Sequence, residues 1–375
     1  MTKLEELIEK LCPDGVEYKE LSEVLTIKNG KDYKHFGEGN VPVYGSGGIM
    51  TYIDTAVYEK PSVLIPRKGS LDKLYFVQEP FWTVDTIFYT DINADIVEPK
   101  YIFYYLQKEH LEKLNKAGGV PSLTQSVLNK VKLPVPPLEV QREIVRILDN
   151  FTFLTAELAA ELAARQKQYE YYRDLLLTFK SNESTILNEL EINAPVRWMK
   201  LGDIADIKRG IRVVKKQLIT EGKYPVYQNS LEPMGYFNKY NCEAETTYVI
   251  SAGAAGEIGF CNKKFWAADD CLIFIDTKNV NNKFIYYSLL VRKNILLANV
   301  RKASIPRLSR IVVENLIIPV PPLEVQQRIV DILDRFDSLC NDISDGLPAE
   351  IEARQKQYEY YRDKLLTFKE LKKEA

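Results

Sequence analysis

The sequence has no run of 18 or more apolar residues, so it carries no segment able to span a bilayer as a helix. Its first residues, MTKLEELIEK, are acidic and amphipathic and lack the apolar centre of a secretory signal. The five cysteines (Cys12, Cys242, Cys261, Cys271, Cys340) form no CxxC pair. Only two histidines, His35 and His110, stand beside them, so ligands for a zinc site are scarce and both histidines read as ordinary surface or turn residues. Thiols without a disulfide pattern fit a reducing cytoplasm, with no membrane partner. Glycine and proline, 18 each, are too few for a fibrous or low-complexity chain. Catalytic signatures are missing too: no NPPY or DPPY to orient an exocyclic amine, no GxGxxG and no GxxxxGK[ST]. GSGG (Gly45–Gly48) and SAGAAG (Ser251–Gly256) are glycine-rich without the spacing of a dinucleotide loop. The chain is therefore read as a non-enzyme.

What the chain does have is 375 residues, 46% of them hydrophobic and 27% charged, enough for two to three domains of about 150 residues. The net charge of −2 is unevenly spread. Residues 181–317 hold 19 Lys and Arg against 14 acids, while residues 1–133 hold 16 against 19, so any footprint for a polyanion belongs most strongly to the later block.

The dominant feature is an internal repeat. LPVPPLEVQREIVRILDNF (Leu133–Phe151) returns as IPVPPLEVQQRIVDILDRF (Ile318–Phe336), and ARQKQYEYYRDLLLTFK (Ala164–Lys180) returns as ARQKQYEYYRDKLLTFK (Ala353–Lys369). The offsets are 185 and 189, so the second copy has four extra residues between the two pieces. Upstream, the copies agree only in outline: Val16–Gly30 with Val196–Gly210, Val41–Gly48 with Tyr224–Leu231, Leu64–Phe76 with Tyr248–Phe260, FWTVDTIFY with FWAADDCLIF, and Tyr101–Gln107 with Phe284–Leu290. Each copy is a divergent module followed by a nearly constant helix. The boundaries read as 1–136 and 181–321 for the modules, and 137–180 and 322–375 for the helices.

Short apolar stretches such as Ser62–Ile65, Leu74–Val77 and Thr86–Tyr89, broken by Gly, Pro, Asn and Asp, predict strands of a twisted sheet or partial barrel. Tyr101–Asn115 and Lys283–Leu297 predict amphipathic helices. After Pro136-Pro137 an unbroken 4–3 stripe runs through Ile144, Leu148, Phe151, Thr155, Leu158, Leu162, Arg165, Tyr169, Tyr172, Leu176 and Phe179. That is a coiled-coil seam, and it predicts one helix of about 44 residues, roughly 66 Å long. The seam position makes Tyr169, Tyr172, Tyr358 and Tyr361 packing residues rather than base-stacking ones. The second copy, after Pro321-Pro322, follows Ile329, Leu333, Phe336, Cys340, Ile343 and Leu347. It then steps four again to Ile351 before Arg354, Tyr358, Tyr361, Leu365 and Phe368. That stutter, with Gly346 and Pro348 upon it, predicts a broken helix near 345–348. The fold class expected is α+β: two pseudo-repeated mixed α/β domains separated by two long repeated helices that form an antiparallel coiled coil.

Two differing modules, each ending in PVPPLEVQ and a helix with ARQKQYEYYRD and LLTF, resemble the specificity subunit of type I restriction-modification systems. The resemblance covers essentially the whole chain. It implies a subunit with two target recognition domains, each reading one half of a split, asymmetric double-stranded DNA sequence. It also implies helices that dock two modification (methyltransferase) subunits, which methylate adenine N6, and restriction subunits that join that core. No cofactor is then expected on this chain, S-adenosylmethionine and ATP belonging to the partner subunits. The alternative from another class is a coiled-coil adaptor with two protein-binding modules. Near-identical helices beside differing modules favour a constant partner surface with a variable target.

Contact candidates in the first module are Tyr44, Gly45, Ser46, Gly47 and Gly48, with Arg67, Lys68, Gly69 and Ser70, because glycines admit a phosphate to the backbone and Arg or Lys serves phosphates and guanine edges. In the second they are Lys208, Arg209, Arg212, Lys215 and Lys216, together with Gln228, Asn229 and Ser230. Gln228 and Asn229 have the amide chemistry that pairs with adenine N6 and N7. Lys302 and Arg307, in a stretch aligned with Ala117–Thr124, are candidates for backbone phosphates. Trp82 and Trp266 read as core aromatics.

Overall fold

The computed structural model describes residues 3–115, 121–179, 195–342 and 344–371. It divides into two compact units, one formed by Met1–Ala159 with Glu350–Ala375 and the other by Ala160–Ala349. Neither unit is a serial segment of module plus following helix. Each takes one module, part of the long helix and one piece of the broken helix.

In the first unit the strands are β1 (Tyr18–Glu20), β2 (Leu25–Asn29), β3 (Val41–Gly45), β4 (Gly48–Ile53), β5 (Ser62–Pro66), β6 (Tyr75–Val77), β7 (Trp82–Thr83), β8 (Ile87–Ile92) and β9 (Lys132–Pro134). They form a four-stranded antiparallel sheet ordered β2-β8-β5-β6, a three-stranded sheet β4-β3-β7 and the pair β1-β9. β3 and β7 run parallel, Val43 facing Trp82 and Tyr44 facing Thr83. β5 is buried at all five positions, as a central strand of apolar and β-branched residues covered on both faces should be. Its one polar residue, Ser62, donates to the Thr90 carbonyl at 2.7 Å, so nothing polar there is left unpaired.

The second unit repeats this plan with β10 (Arg197–Lys200), β11 (Asp206–Arg209), β12 (Tyr224–Tyr227), β13 (Gly235–Phe237), β14 (Thr246–Ile250), β15 (Ile258–Cys261), β16 (Trp266–Ala267), β17 (Cys271–Ile275) and β18 (Ile317–Val320). The sheets are β11-β17-β14-β15, β13-β12-β16 and β10-β18. β12 and β16 are again parallel, Val226 facing Trp266 and Tyr227 facing Ala267. The register thus equates Tyr44 with Tyr227, Gly45 with Gln228 and Ser46 with Asn229.

The two module helices are shorter than their periodicity predicts. Pro99–Lys108 stops where His110 adopts a left-handed φ of 49°, and a separate 3-10 turn follows at Leu111–Leu114. Asn282–Val291 stops at Arg292, after which Lys293–Ala298 forms its own short helix. The Asn281 side chain caps the former, accepting from the Lys283 and Phe284 amides at 2.8 and 3.2 Å.

The long helix spans Leu138–Thr178, 41 residues. Every position of its predicted stripe is buried or half-buried, while most flanking positions are exposed. In the first unit Val140, Ile144 and Leu148 enter the module core with Leu366, each contributing about 2 kcal/mol of burial. The Phe151 ring stacks on Tyr361, 5.4 Å between centroids. In the second unit Tyr169 and Leu176 join Ile329, Leu333 and Cys340. Tyr172 stacks on Phe336 at 5.7 Å, Tyr169 meets the same ring at 6.4 Å, and Arg165 acts electrostatically on Cys340, so the helices run antiparallel there. The four seam tyrosines are thus packing residues.

The second helix consists of Leu323–Asn341 and Leu347–Leu365. Between them the Asp342 carboxylate accepts from the Ser344 amide and hydroxyl at 2.8 and 2.6 Å. A Cβ on Gly346 would sit 2.6 Å from the Asp342 and Ser338 carbonyl oxygens, so only glycine fits. Ile343 of the predicted stripe lies outside the described residues.

Each spacer helix is tied to its module by the same devices. Gln141 is fully buried, accepts from the Glu98 amide at 2.8 Å, and donates to the Ile96 and Pro136 carbonyls at 3.1 and 2.6 Å. Gln326, also fully buried, accepts from the Asn281 amide at 2.9 Å and donates to the Asn279 and Pro321 carbonyls at 3.3 and 2.7 Å. Asp149 takes Lys100 and the Tyr104 hydroxyl, and Asp334 takes Lys283 and the Tyr287 hydroxyl. Burial, aided by those carboxylates, holds both phenols well above their usual pKa.

Candidate nucleic-acid interface

Four loops converge at the end of the parallel strand pair in each module. In the first, the Ser46 amide donates to Thr86 Oγ1 at 3.3 Å, and the Arg67 and Lys68 amides donate to the Thr86 carbonyl at 2.9 and 3.3 Å. The Gly69 amide donates to the Pro121 carbonyl at 3.2 Å, the Leu123 amide to the Arg67 carbonyl at 2.9 Å, and Lys68 bridges to Ser122. A Cβ on Gly69 would lie 3.5 Å from the Ser46 hydroxyl. The two glycine-containing candidate segments, 26 residues apart by their Tyr44 and Ser70 ends, are therefore neighbours.

Not every member faces outward. The Tyr44 ring packs on Tyr75 and Phe81, 5.8 and 6.4 Å between centroids, whereas Gly47 has open space where a side chain would be. The Arg67 guanidinium lies 5.8 Å from the centre of the Phe88 ring. Ser70 receives the Lys73 amide on its carbonyl at 3.2 Å.

The second module builds the same junction from different side chains. The Ala254 amide donates to the Asn229 carbonyl at 2.9 Å, the Gly253 amide to the Pro306 carbonyl at 3.2 Å, and the Leu308 amide to the Ser251 carbonyl at 2.8 Å. Arg301 and Arg307 bridge through their backbones, placing two guanidinium-bearing residues side by side. Where the first module has Thr86, the second has Asp270, whose Oδ2 accepts from Gln228 Nε2 at 3.4 Å. The Arg209 guanidinium reaches the Asp269 carbonyl at 3.5 Å and so joins the junction.

Other candidates stand apart. Lys208 is ion-paired to Asp206 at 2.9 Å, and the bond to that carboxylate raises the ammonium pKa. The Ser230 hydroxyl is spent on the Glu232 carbonyl. Arg212, Lys215 and Lys216 are exposed on the loop that the Ile211 amide ties to the Ala267 carbonyl, and they make no hydrogen bond to the four-loop junction among the described residues. Trp82 is buried, and Trp266 is half-buried with its indole N–H donated to the Ile211 carbonyl. Part of the Ala117–Thr124 stretch, residues 117–120, lies outside the described residues.

Among the described residues, Arg67, Lys68, Arg212, Lys215, Lys216, Arg301, Lys302 and Arg307 form no ion pair with an acid. Some cations elsewhere are paired, as Lys100 is with Asp149 and Lys293 with Glu257. Five of the unpaired cations, Arg67, Lys68, Arg301, Lys302 and Arg307, lie on the junction loops and suit a polyanion that supplies its own charge. All five cysteines are free and buried, and among the described residues no group of three His, Cys, Asp or Glu could hold a metal ion. No helix there is long and apolar enough to cross a membrane.

Sequence reasoning missed Thr86, Asp270 and Arg301. The signal for the first two lay in the alignment of FWTVDTIFY with FWAADDCLIF, which puts them at one position just beyond the strand that defines the junction.

Residues 13–165 and 195–353 each match the family model for the type I restriction modification DNA specificity domain. A putative type I restriction enzyme specificity subunit of Haemophilus influenzae is 33% identical over 404 residues, covering 98% of this chain and 98% of its own. The Escherichia coli EcoR124I/EcoR124II specificity subunit is 35% identical over 300 residues, covering 72% and 70%. Among solved structures, the S subunit of a type I system from M. genitalium aligns with a TM-score of 0.67 at 17% identity over 94% of this chain and 96% of that one, a likeness of fold. With both modules matched and a relative aligned end to end, the chain belongs to the family of type I restriction-modification specificity subunits, the non-catalytic, DNA-recognising members of those complexes.

Proposed function

We propose that the chain reads a bipartite, asymmetric double-stranded DNA target, one half per module, and that its helices dock two modification subunits with which restriction subunits assemble. Methyl transfer from S-adenosylmethionine and ATP-driven steps then belong to those partners. The observation that carries this reading is one backbone junction built twice with different side chains: Gly45, Ser46, Thr86, Arg67 and Ser122 in one module, Gln228, Asn229, Asp270, Ser251 and Arg307 in the other. Sequence is read by side chains at base edges, while phosphate contacts fix position, so a constant frame with variable tips suits two different half-sites. The helices give the complementary signal. Tyr171 and Tyr360, equivalent in the repeat, are 56% and 62% exposed, a matched apolar feature that suits two copies of one partner.

The test is an exchange of Val16–Lys132 for the equivalent module of a relative, followed by selection of bound duplexes from a random library. One half of the selected target should change and the other should persist. A change in both halves, or in neither, refutes independent reading.

A further inference from the structure

The second module differs from the first at one position of the shared junction in a way that bears on base identity. Asp270 takes the place of Thr86, and Gln228 the place of Gly45. In the first module the residue at the turn holds a backbone amide, Ser46 N–H to Thr86 Oγ1. In the second it reaches a side chain, Gln228 Nε2 to Asp270 Oδ2. An ionised carboxylate only accepts, so the amide nitrogen of Gln228, not its oxygen, must face Asp270. One N–H of the glutamine is thereby occupied and the flip of the amide is fixed. Its Oε1 and second N–H have no partner among the described residues.

Asp270 is itself held. Its carbonyl accepts from the Ser251 amide at 2.7 Å and the Ser251 hydroxyl at 2.9 Å, and Ser251 is buried. The Gln228 backbone is pinned alongside, its carbonyl accepting from the Cys271 thiol at 3.4 Å. Gln228 is half-buried and borders Asn229, which is exposed. The free acceptor and donor of such an oriented amide match adenine, whose N6 amine donates and whose N7 accepts in the major groove.

Resting on the DNA-reading function proposed above, we infer that Gln228 specifies one adenine in the half-site of the second module and that Asp270 is its positioning residue. The first module, with glycine at that place, has no counterpart.

The experiment uses the full chain assembled with its modification subunits, and sequences the duplexes it retains from a randomised library. The parent should require adenine at one position of the second half-site. Gln228→Ala should cut discrimination there about tenfold or more, leaving every other position and low-salt affinity for unrelated DNA unchanged. Asp270→Ala should weaken the same position. The double substitution Gln228→Glu with Asp270→Asn reverses donor and acceptor in the clasp and leaves only acceptors outward, so it should turn the preference to cytosine, whose N4 donates. A merely structural clasp would not change the base chosen. An unaltered preference in Gln228→Ala, or Asp270→Ala acting at a different position, overturns the inference. A parent that selects no sequence at all overturns instead the DNA-reading function on which it rests.

Discussion

Gln141 is the side chain whose removal should cost most per atom in the first unit. It sits three residues into the long helix, fully buried, and satisfies three backbone groups at once: the Glu98 amide and the Ile96 and Pro136 carbonyls. Gln141→Leu keeps nearly the same volume, so no cavity arises, yet all three groups lose their partner. Leaving a buried polar group unpaired costs about 1–3 kcal/mol. Two of the three, the Glu98 amide and the Ile96 carbonyl, belong to half-buried residues that water can partly reach, so a total of about 3–4 kcal/mol is expected rather than the sum of maxima. Gln326→Leu should cost the same in the second unit, where the Asn281 amide and the Asn279 and Pro321 carbonyls take the equivalent places. Because the chain has two units, a single melting curve need not be two-state, and the suitable assay is hydrogen exchange read by mass spectrometry. Exchange at residues 96–102 should accelerate more than a hundredfold in Gln141→Leu while residues 279–285 keep their protection, and the converse should hold for Gln326→Leu. Changes below about 1 kcal/mol, or loss of protection in both segments from either substitution, would refute the assignment of these glutamines as separate anchors.

If the exposed pair Lys215 and Lys216 contacts phosphates, replacing both with Ala should flatten the salt dependence of DNA binding by up to about two units of slope without altering sequence preference; an unchanged slope removes them from the interface. Gly253 has a φ of +83°, and a Cβ there would lie 2.8 Å from both the Asn229 carbonyl oxygen and its Cβ. Gly253→Ala should therefore destabilise the second unit by about 1–3 kcal/mol and weaken selection in its half-site alone, as read by thermal melting and library selection. Deleting Asp345–Pro348 removes the four residues by which the second copy exceeds the first, which span the end of the break and the first two residues of Leu347–Leu365 and would fill about 6 Å if helical. If the helices set the unread gap, the preferred gap should shift by one to two base pairs at about 3.4 Å each while each half-site keeps its bases, and an unshifted gap in a folded variant excludes the helices as the ruler.

What the sequence made legible is what periodicity and repetition encode. The seam from Ile144 to Phe179 is a local pattern, and it predicts the helix and the burial of each stripe residue without any long-range knowledge. Gly346 and Pro348 likewise mark the break, because a close carbonyl contact and a first-turn proline are local demands. The two module helices show where periodicity stops being enough. Tyr101–Asn115 keeps an apolar rhythm through His110, yet the backbone turns left-handed there, since Leu111 must reach the core of the module rather than continue the helix. The junction was legible only in halves. Glycines and cations announced Gly45–Gly48 and Arg67–Lys68 separately, but nothing local says that Ser46, Thr86 and Gly69 meet. That depends on the parallel pairing of β3 with β7, a contact across 39 residues between Val43 and Trp82.

The PPLEVQ motif acquires its meaning from the same non-local geometry. Read alone, its prolines mark a helix start and its glutamine is one polar residue in an amphipathic turn. In each unit the glutamine instead bonds back to the second proline-rich residue before the helix and outward to the loop ahead of the module helix, Glu98 in one case and Asn281 in the other. A polar residue at that depth must keep all its partners or lose stability, so the segment tolerates little change in either copy. The loops at the far end of each module are under no such demand: their backbones bond to one another, and their side chains are left to vary. The contrast between near-identical helix starts and divergent tips is thus a consequence of where buried hydrogen-bond capacity is committed. The seam carries a second trace of the same logic. From the Phe151–Tyr361 contact to the Tyr172–Phe336 contact the long helix advances 21 residues while its partner goes back 25. The difference of four is the insertion at the break, and within each unit the same pairing forms, the Phe of one repeat on the Tyr of the other.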